Sequence, residues 1–472
     1  MRSSVVALAA LALASCARPL PIHRDDWMLQ EVANRYAQFF DAKHDPDPQH
    51  DVGILRPRFG LPAVTRVDGA FELELLERGG PQPVRAALVS PSVSDDDAAA
   101  CARGKSVPNC WPLALTQTTR EPIERGVAVA KVSARVQAPV GGYDLVIDSP
   151  VDLPSRVTRA VWLREDDPSQ LGEIHVVQLT DLHVGKGNAH QQASIHDHLE
   201  RVVADVNALK PDLVIVTGDV VNQGNDGKLE KDAVALLEQI DSPMLAVLGN
   251  HDHGFDADAF SAQRYGVGWE HFARAFHPYL HFTMSLGGWD FIGFDTGPSE
   301  FSPLVLTRGL LPETVDELRA EIDQSFKLGH KGVVLFSHAP SRALYGGANE
   351  STKKGVVGQM LYGGPAFEKM LLEAAKRGQR VLHLAGHTHW NDVFEARPDG
   401  KKDEALQFVR WDHKKLWPGA HEIVGYACLI TTQSCSHSSF PQKDNARGYG
   451  FIALTLSSGD PMLDFHRYDA QP

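Results

Sequence analysis

The sequence predicts an α/β (α+β) domain preceded by a smaller all-β domain, and three observations predict it. Past Leu171 short apolar runs alternate with amphipathic stretches, the pattern of strand, loop and helix repeated. Between residues 53 and 163 the runs are short, alternating and punctuated by Gly and Pro, as in Gly79-Gly80-Pro81. A chain of 472 residues also exceeds what one ordinary core organises. The boundaries implied are 1–15 for a leader, 16–50 for a tether with a short helix, 51–165 for a β-sandwich-like domain and 171–472 for the main domain.

Arg2 opens a short basic region, residues 5–13 are apolar over the length of a signal h-region, and small residues follow. Leu13-Ala14-Ser15-Cys16 resembles the lipobox of bacterial lipoproteins. That resemblance implies a signal peptide over 1–15, acyl chains on Cys16 and a chain tethered to a membrane without spanning it. A plain secretory signal with a chance cysteine is the competing reading. Ala17 is not the aspartate that resembles an inner-membrane retention signal, so the expected location is the cell envelope, on the outer-membrane or periplasmic side.

Trp27, Leu29, Val32 and Tyr36 fall near a helical period and predict a helix over 25–42. In the β region, strands are expected at 70–76, 84–89, 127–132 and 143–147. Nothing there carries chemistry, and Asp95-Asp96-Asp97 reads as a solvated loop. Besides Cys16, four cysteines remain in a compartment that permits disulfides, and local pairing predicts Cys101–Cys110 and Cys428–Cys435.

In the main domain, strands are expected at 174–180, 213–217, 244–248, 291–294, 333–337 and 381–385. Helices are expected at 191–209, 229–240, 312–326 and 365–377, the third begun by Pro312. After Trp390 the texture returns to β, at 406–409, 422–431 and 449–456. The formal charge of -14 repels a phosphate backbone and argues against a dedicated nucleic-acid binder.

Five of these strands are followed at once by residues able to bind metal, at the carboxyl ends where open α/β sheets place their sites. In order they are Asp181-Leu182-His183, Gly218-Asp219, Gly249-Asn250-His251-Asp252, Ser337-His338 and Gly386-His387-Thr388-His389. Singly, Asp181 suits a helix cap, Asn250 a turn and His338 a core histidine. A cap, a turn and a core residue have no reason to recur in this order at strand ends.

The ordered set resembles the calcineurin-like metallophosphoesterase superfamily over residues 174–391. The resemblance implies a four-layer fold, two packed mixed β-sheets flanked by helices. It also implies two divalent ions, Mn, Fe, Zn or similar, one bound by Asp181, His183 and His389 and the other by Asn250, His338 and His387, with Asp219 bridging. The activity implied is hydrolysis of phosphate mono- or diesters by a metal-bridging hydroxide, with His251 near the leaving group as general acid or transition-state stabiliser and Asp252 orienting it. Gly386 is expected to supply the turn that lets His387 and His389 converge. The purple acid phosphatases of this superfamily have a tyrosine three residues beyond the bridging aspartate, where this chain has Asn222, so no tyrosinate-coloured iron is expected.

The substrate is expected to be a phosphorylated small molecule. A loop running through Arg342, Tyr345, Lys353, Lys354 and Tyr362 is a candidate for binding it, and the interval 298–309 leaves room for an insertion over the site. His413, His421 and His437 carry no motif and read as surface or supporting residues. Two rivals share the ligand set or the fold: a nuclease, and a catalytically inert envelope scaffold.

Overall fold

Continuous apolar runs become buried parallel strands and alternating runs become sandwich strands. The computed structural model describes them over residues 52–78, 84–123, 127–148, 155–187, 189–254, 267–297, 309–342, 359–360, 362–398, 405–412, 419–436 and 448–469. The leader, Cys16 and the helix expected at 25–42 lie outside the described residues. Over the described residues, one compact unit takes in the chain from Val52 to Pro168 together with Leu182–Tyr279, and the other takes in Ser169–Asp181 and Leu280 onward. Among the described residues no helix is long and apolar enough to cross a membrane.

The first unit begins with β1 (Val52–Arg56), β2 (Ala63–Arg66), β3 (Ala70–Arg78), β4 (Arg85–Val89), α1 (Asp95–Ala102), β5 (Cys110–Pro112), β6 (Ala114–Pro122), β7 (Val127–Arg135), β8 (Gly141–Asp148) and β9 (Ser155–Arg164). One sheet has the order β1-β3-β7-β6 and the other β2-β9-β8-β4-β5. Phe71, Leu73 and Leu75 alternate along β3 and meet Leu145 and Ile147 of β8 and Leu163 of β9 in one core, as the inner faces of a sandwich must. The aspartates expected in a loop instead form the first turn of α1. Ser94 caps it by accepting the Asp97 N–H at 3.2 Å, and three carboxylates beside the helix N-terminus complement its dipole.

The chain then forms β10 (Ile174–Leu179), α2 (Ala189–Leu209), β11 (Leu213–Thr217), α3 (Gly227–Leu237), β12 (Met244–Val247) and α4 (Val267–Ala275). Within the first unit β12 pairs parallel with β11, Val214 opposite Met244. Trp269, Phe272 and Ala273 of α4 are buried at helical spacing, but over nine residues that period is too short to read from sequence.

The second unit continues with β13 (His281–Leu286), β14 (Trp289–Phe294), α5 (Pro312–Lys327), β15 (Gly332–Phe336), α6 (Gly364–Lys376), β16 (Val381–Ala385), β17 (Asp392–Pro398), β18 (Leu406–Arg410), β19 (His421–Glu422), β20 (Ala427–Thr431), β21 (Gly448–Leu456) and β22 (Met462–Asp469). Its seven-stranded sheet has the order β13-β14-β15-β16-β20-β17-β18, parallel from β14 through β20 and antiparallel outside that. Leu318 and Ile322 of α5 and Phe367 and Leu371 of α6 pack on Ile292, Val333, Leu335 and Val381, so the helices cover one face of it. A second antiparallel run joins β10-β21-β22-β19. The fold is therefore mixed α/β with several packed mixed sheets. The single strand expected at 422–431 is two, because the chain changes sheets there: β19 pairs with β22, and β20 with β16 and β17.

Two further expectations need revision. Cys101 and Cys110 form a disulfide, but Cys428 and Cys435 are free and buried. Cys428 lies in β20 opposite Leu382 of β16 and Glu395 of β17, whereas the Cys435 thiol accepts the Thr180 N–H at 3.4 Å, so different elements hold the two thiols. Arg342, expected to face substrate, has its guanidinium on the Glu368 carboxylate at 2.6 Å and over the rings of Phe394 and Phe408. Tyr362-Gly363 leads into α6, with Gly363 at its N-cap. His421 lies between Trp411 and Phe465. Residues 298–308 and 343–358, with Tyr345, Lys353, Lys354, His413 and His437, lie outside the described residues.

Burial pushes the Cys435 thiol up to about 12 and the Cys428 thiol well above its ordinary value. Both are therefore expected to resist maleimide in the native protein and to react on denaturation, whereas Cys101 and Cys110 react only after reduction as well. Mass spectrometry of the alkylated chain checks the order of labelling.

Candidate metal centre

The candidate ligands follow β10, β11, β12, β15 and β16, and most of them share one backbone peculiarity. Asp181, His183, Asp219, His387 and His389 have φ of 52°, 49°, 51°, 67° and 53°. They are five of the eight non-glycine residues with positive φ among the described residues. Each such conformation costs an L-residue about 1–3 kcal/mol and survives only where its surroundings over-determine it. The strain turns side chains out of the sheet direction at strand ends, where a continuing strand would have buried them in alternation.

Asp181 is fully buried, and its carboxylate is held from two sides. Oδ2 accepts the Thr180 hydroxyl at 2.7 Å and the His387 N–H at 2.9 Å, while Oδ1 lies 2.8 Å from His389 Nε2. The Asp181 carbonyl accepts the hydroxyls of Ser434 and Ser436 at 2.7 and 3.2 Å. His338 Nε2 and His387 Nδ1 face each other at 3.1 Å. Beneath them Ser337 Oγ lies 2.9 Å from Nε2 of His383, a fully buried imidazole pushed down to about 3 by burial and so neutral.

Asp219 is the hub of the other loops. The His183 N–H donates to its carbonyl at 2.9 Å, the His251 N–H donates to its Oδ1 at 2.8 Å, and its Oδ2 lies 3.7 Å from His183 Nε2 and 3.9 Å from His251 Nε2. Asn250 is 4% exposed in the adjacent turn. The His251 ring donates from Nδ1 to the Asn222 carbonyl at 2.9 Å, which sets its tautomer. Asp252, expected to orient His251, also braces the backbone. Its carboxylate accepts the N–H groups of Gly249 at 2.7 Å, Val221 at 3.0 Å and Val220 at 3.3 Å, and so ties the loop of Asp219 to the loop of Asn250. Glu230 of α3 is buried nearby. Desolvation first, with repulsion from Asp252 and Asp226, pushes its carboxyl up to about 9, so it stays protonated at neutral pH and adds no charge behind that tie.

Within one unit the donors of Asp181 and His389 approach to 2.8 Å and those of His338 and His387 to 3.1 Å, and within the other His183 Nε2 stands 3.7 Å from Asp219 Oδ2. The donor set contains two carboxylates, four imidazoles and one amide, the hard and borderline ligands that suit divalent first-row ions. The profile of the calcineurin-like phosphoesterase family matches residues 174–391. A probable glycerophosphodiester phosphodiesterase of Arcobacter nitrofigilis is 30% identical over 264 residues, 50% of this chain and 84% of that protein.

This chain belongs to the calcineurin-like phosphoesterase family. It is an enzyme, a phosphoesterase whose fold uses two metal ions. Among solved structures, a purple acid phosphatase from yellow lupin seeds is similar with a TM-score of 0.49 and 12% identity over 89% of this chain and 72% of that one. The structure of PhoD is similar with a TM-score of 0.46 and 11% identity, covering 87% and 86%.

Sequence patterns did not single out Thr180, Ser434 or Asn222 as supports of this phosphoesterase's site. Thr180 directly precedes the first motif. Ser434 meets Asp181 across 253 positions, and Asn222 acts through its backbone carbonyl, where side-chain identity carries no signal. Gly386 supports the site by close approach, and its φ is not among the positive ones. A Cβ there would stand 1.8 Å from Thr180 Oγ1 and 2.5 Å from Asp181 Oδ2. Gly386→Ala is therefore expected to displace the Asp181 carboxylate and lower metal content while the far-UV circular dichroism stays native. Metal analysis of the purified variant checks it.

Proposed function

We propose that this phosphoesterase hydrolyses small phosphodiesters at a dinuclear centre in which Asp219 serves both ions. The observation that supports the proposal is that all seven donor residues stand in order at strand ends inside the span 174–391 that matches the family. Asp181, His183 and His389 would complete one ion's ligands, and Asn250, His338 and His387 the other's. Such a pair of ions, when bound, supplies Lewis acidity toward phosphoryl oxygens and lowers the pKa of water from about 15.7 toward ~7.

The protein's own groups do the rest. With Nδ1–H of His251 donating to the Asn222 carbonyl, the protonated imidazole would give its Nε2 proton to the leaving alkoxide and return to the neutral ring, and the side chain is 23% exposed. Asp252 keeps the Asp219 and Asn250 loops in register. The diester preference is supported by the name of the Arcobacter nitrofigilis relative, and the net charge of -14 disfavours a polyanionic nucleic acid as substrate. We also propose that the chain is exported and lipid-anchored at Cys16. The Leu13-Ala14-Ser15-Cys16 pattern supports this, as does the Cys101–Cys110 disulfide, which suits an oxidising compartment.

Metal analysis alongside hydrolysis of a nitrophenyl phosphate and its bis-ester, with Mn added, is expected to find two ions per chain and faster cleavage of the diester. Lack of stoichiometric metal and of both activities would establish the inert scaffold instead. Asp219→Asn is expected to lose metal and turnover together, whereas His251→Ala keeps both ions and loses about 10²–10⁴-fold in kcat. In cells, labelling with a fatty-acid analogue is expected to mark the wild type but not Cys16→Ala; an unlabelled wild type rejects the anchor.

A further inference from the structure

β12 delivers Asn250 and His251, yet it is only four residues long and pairs with β11 on one side. Such an edge leaves backbone donors and acceptors to be satisfied from elsewhere. In this chain the other side of β12 is met from the sandwich. The Ala246 N–H donates to the Gly60 carbonyl at 2.9 Å, and the Ala246 carbonyl accepts Nε2–H of His277 at 2.9 Å.

The two clamps are themselves locked. His277 is fully buried, its Nδ1 accepts the Tyr279 N–H at 3.3 Å, and the Tyr279 hydroxyl bonds the Glu74 carboxylate on β3. Burial pushes His277 down to about 3, so it stays the neutral tautomer that donates from Nε2. Arg58, 6% exposed, donates to the carbonyls of Ile54 at 3.0 Å, Phe276 at 2.7 Å and Arg274 at 2.5 Å, joining the turn before Gly60 to the end of α4. Gly60 has φ +79°, and a Cβ there would stand 3.0 Å from the Phe276 ring and 3.2 Å from Ala246 Cβ.

We propose that the N-terminal β-sandwich is a positioning element for the metal centre: its Arg58–Leu61 turn, with His277, sets the edge of β12 and thereby the Asn250–His251 loop. The inference rests on the proposed ligand role of Asn250. It gives Gly60 and His277 the task of positioning residues, which touch no substrate.

The test uses the full chain and Mn²⁺ as the probe. Calorimetric titration and hydrogen exchange of amides 248–254 are measured for wild type, His277→Ala, His277→Gln and Gly60→Ala. Leu88→Ala, in the sandwich core away from this contact, controls for lost stability. His277→Ala and Gly60→Ala are expected to weaken one of two Mn²⁺ sites by about 10–100-fold and to speed exchange across 248–254. His277→Gln, which keeps an N–H for Ala246, is expected to recover much of both. Leu88→Ala is expected to lower the melting temperature and leave both readouts at wild type.

Unchanged affinity and exchange in His277→Ala and Gly60→Ala would overturn the inference, as would an equal loss in Leu88→Ala. A wild type that binds no Mn²⁺ would instead remove the metal-centre proposal, while the exchange data still judge the clamp. If His277→Ala does not fold, Gly60→Ala and His277→Gln decide the matter by the same two readouts.

Discussion

The centre depends on donors being held in a conformation that an isolated peptide would avoid. Five left-handed residues at strand ends would relax toward ordinary backbone unless the strands before them were fixed, and buried strands provide that fixity. Hydrogen bonding then removes what freedom is left. Asp181 is the clearest case: one carboxylate oxygen accepts two bonds, the carbonyl accepts two more, and the second carboxylate oxygen points at His389. A carboxylate so restrained presents one defined donor atom, which is the preorganisation a catalytic ion requires.

Around Asp219 the same end is reached by tying loop to loop. Three backbone amides on the Asp252 carboxylate hold the Asp219 and Gly249 turns together, and the His251 amide on Asp219 Oδ1 closes the ring. A buried carboxylate accepting several N–H bonds is well stabilised in its charged form. Glu230, whose carboxylate oxygens have no such donor, is pushed up to about 9 by desolvation and stays neutral as a filler behind the tie. The clamp on Ala246 extends this logic outward, since a loop is placed no better than the strand that feeds it.

The motifs were legible because metal ligation restricts residue type. Asp, Asn and His at five strand ends have few other reasons to recur, and every strand named before a motif exists within a residue at each end. Helices α2, α3, α5 and α6 were legible for a similar reason, since one face of each must be apolar over many turns. Short elements were not: α4 and β13 bury their side chains without a run long enough to show a period. Pairings across long intervals were hidden too. Two cysteines seven positions apart looked like a loop closure, and only the strand running between them shows that their thiols serve as packing.

By itself the sequence determined which atoms are available to bind metal and the order in which strands present them, because ligand chemistry and hydrophobic period are local properties of the chain. Only the tertiary structure decided how those atoms are aimed. Gly386 accepts the Thr388 N–H in a tight turn, and its missing Cβ is also the space that Asp181 and Thr180 occupy; Asp252 braces the backbone of two loops. Arg342 looked like a substrate cation and is held by Glu368 over two rings. In each instance the deciding partner is distant in sequence or is a backbone group, and neither leaves a mark in the identity of the residue itself.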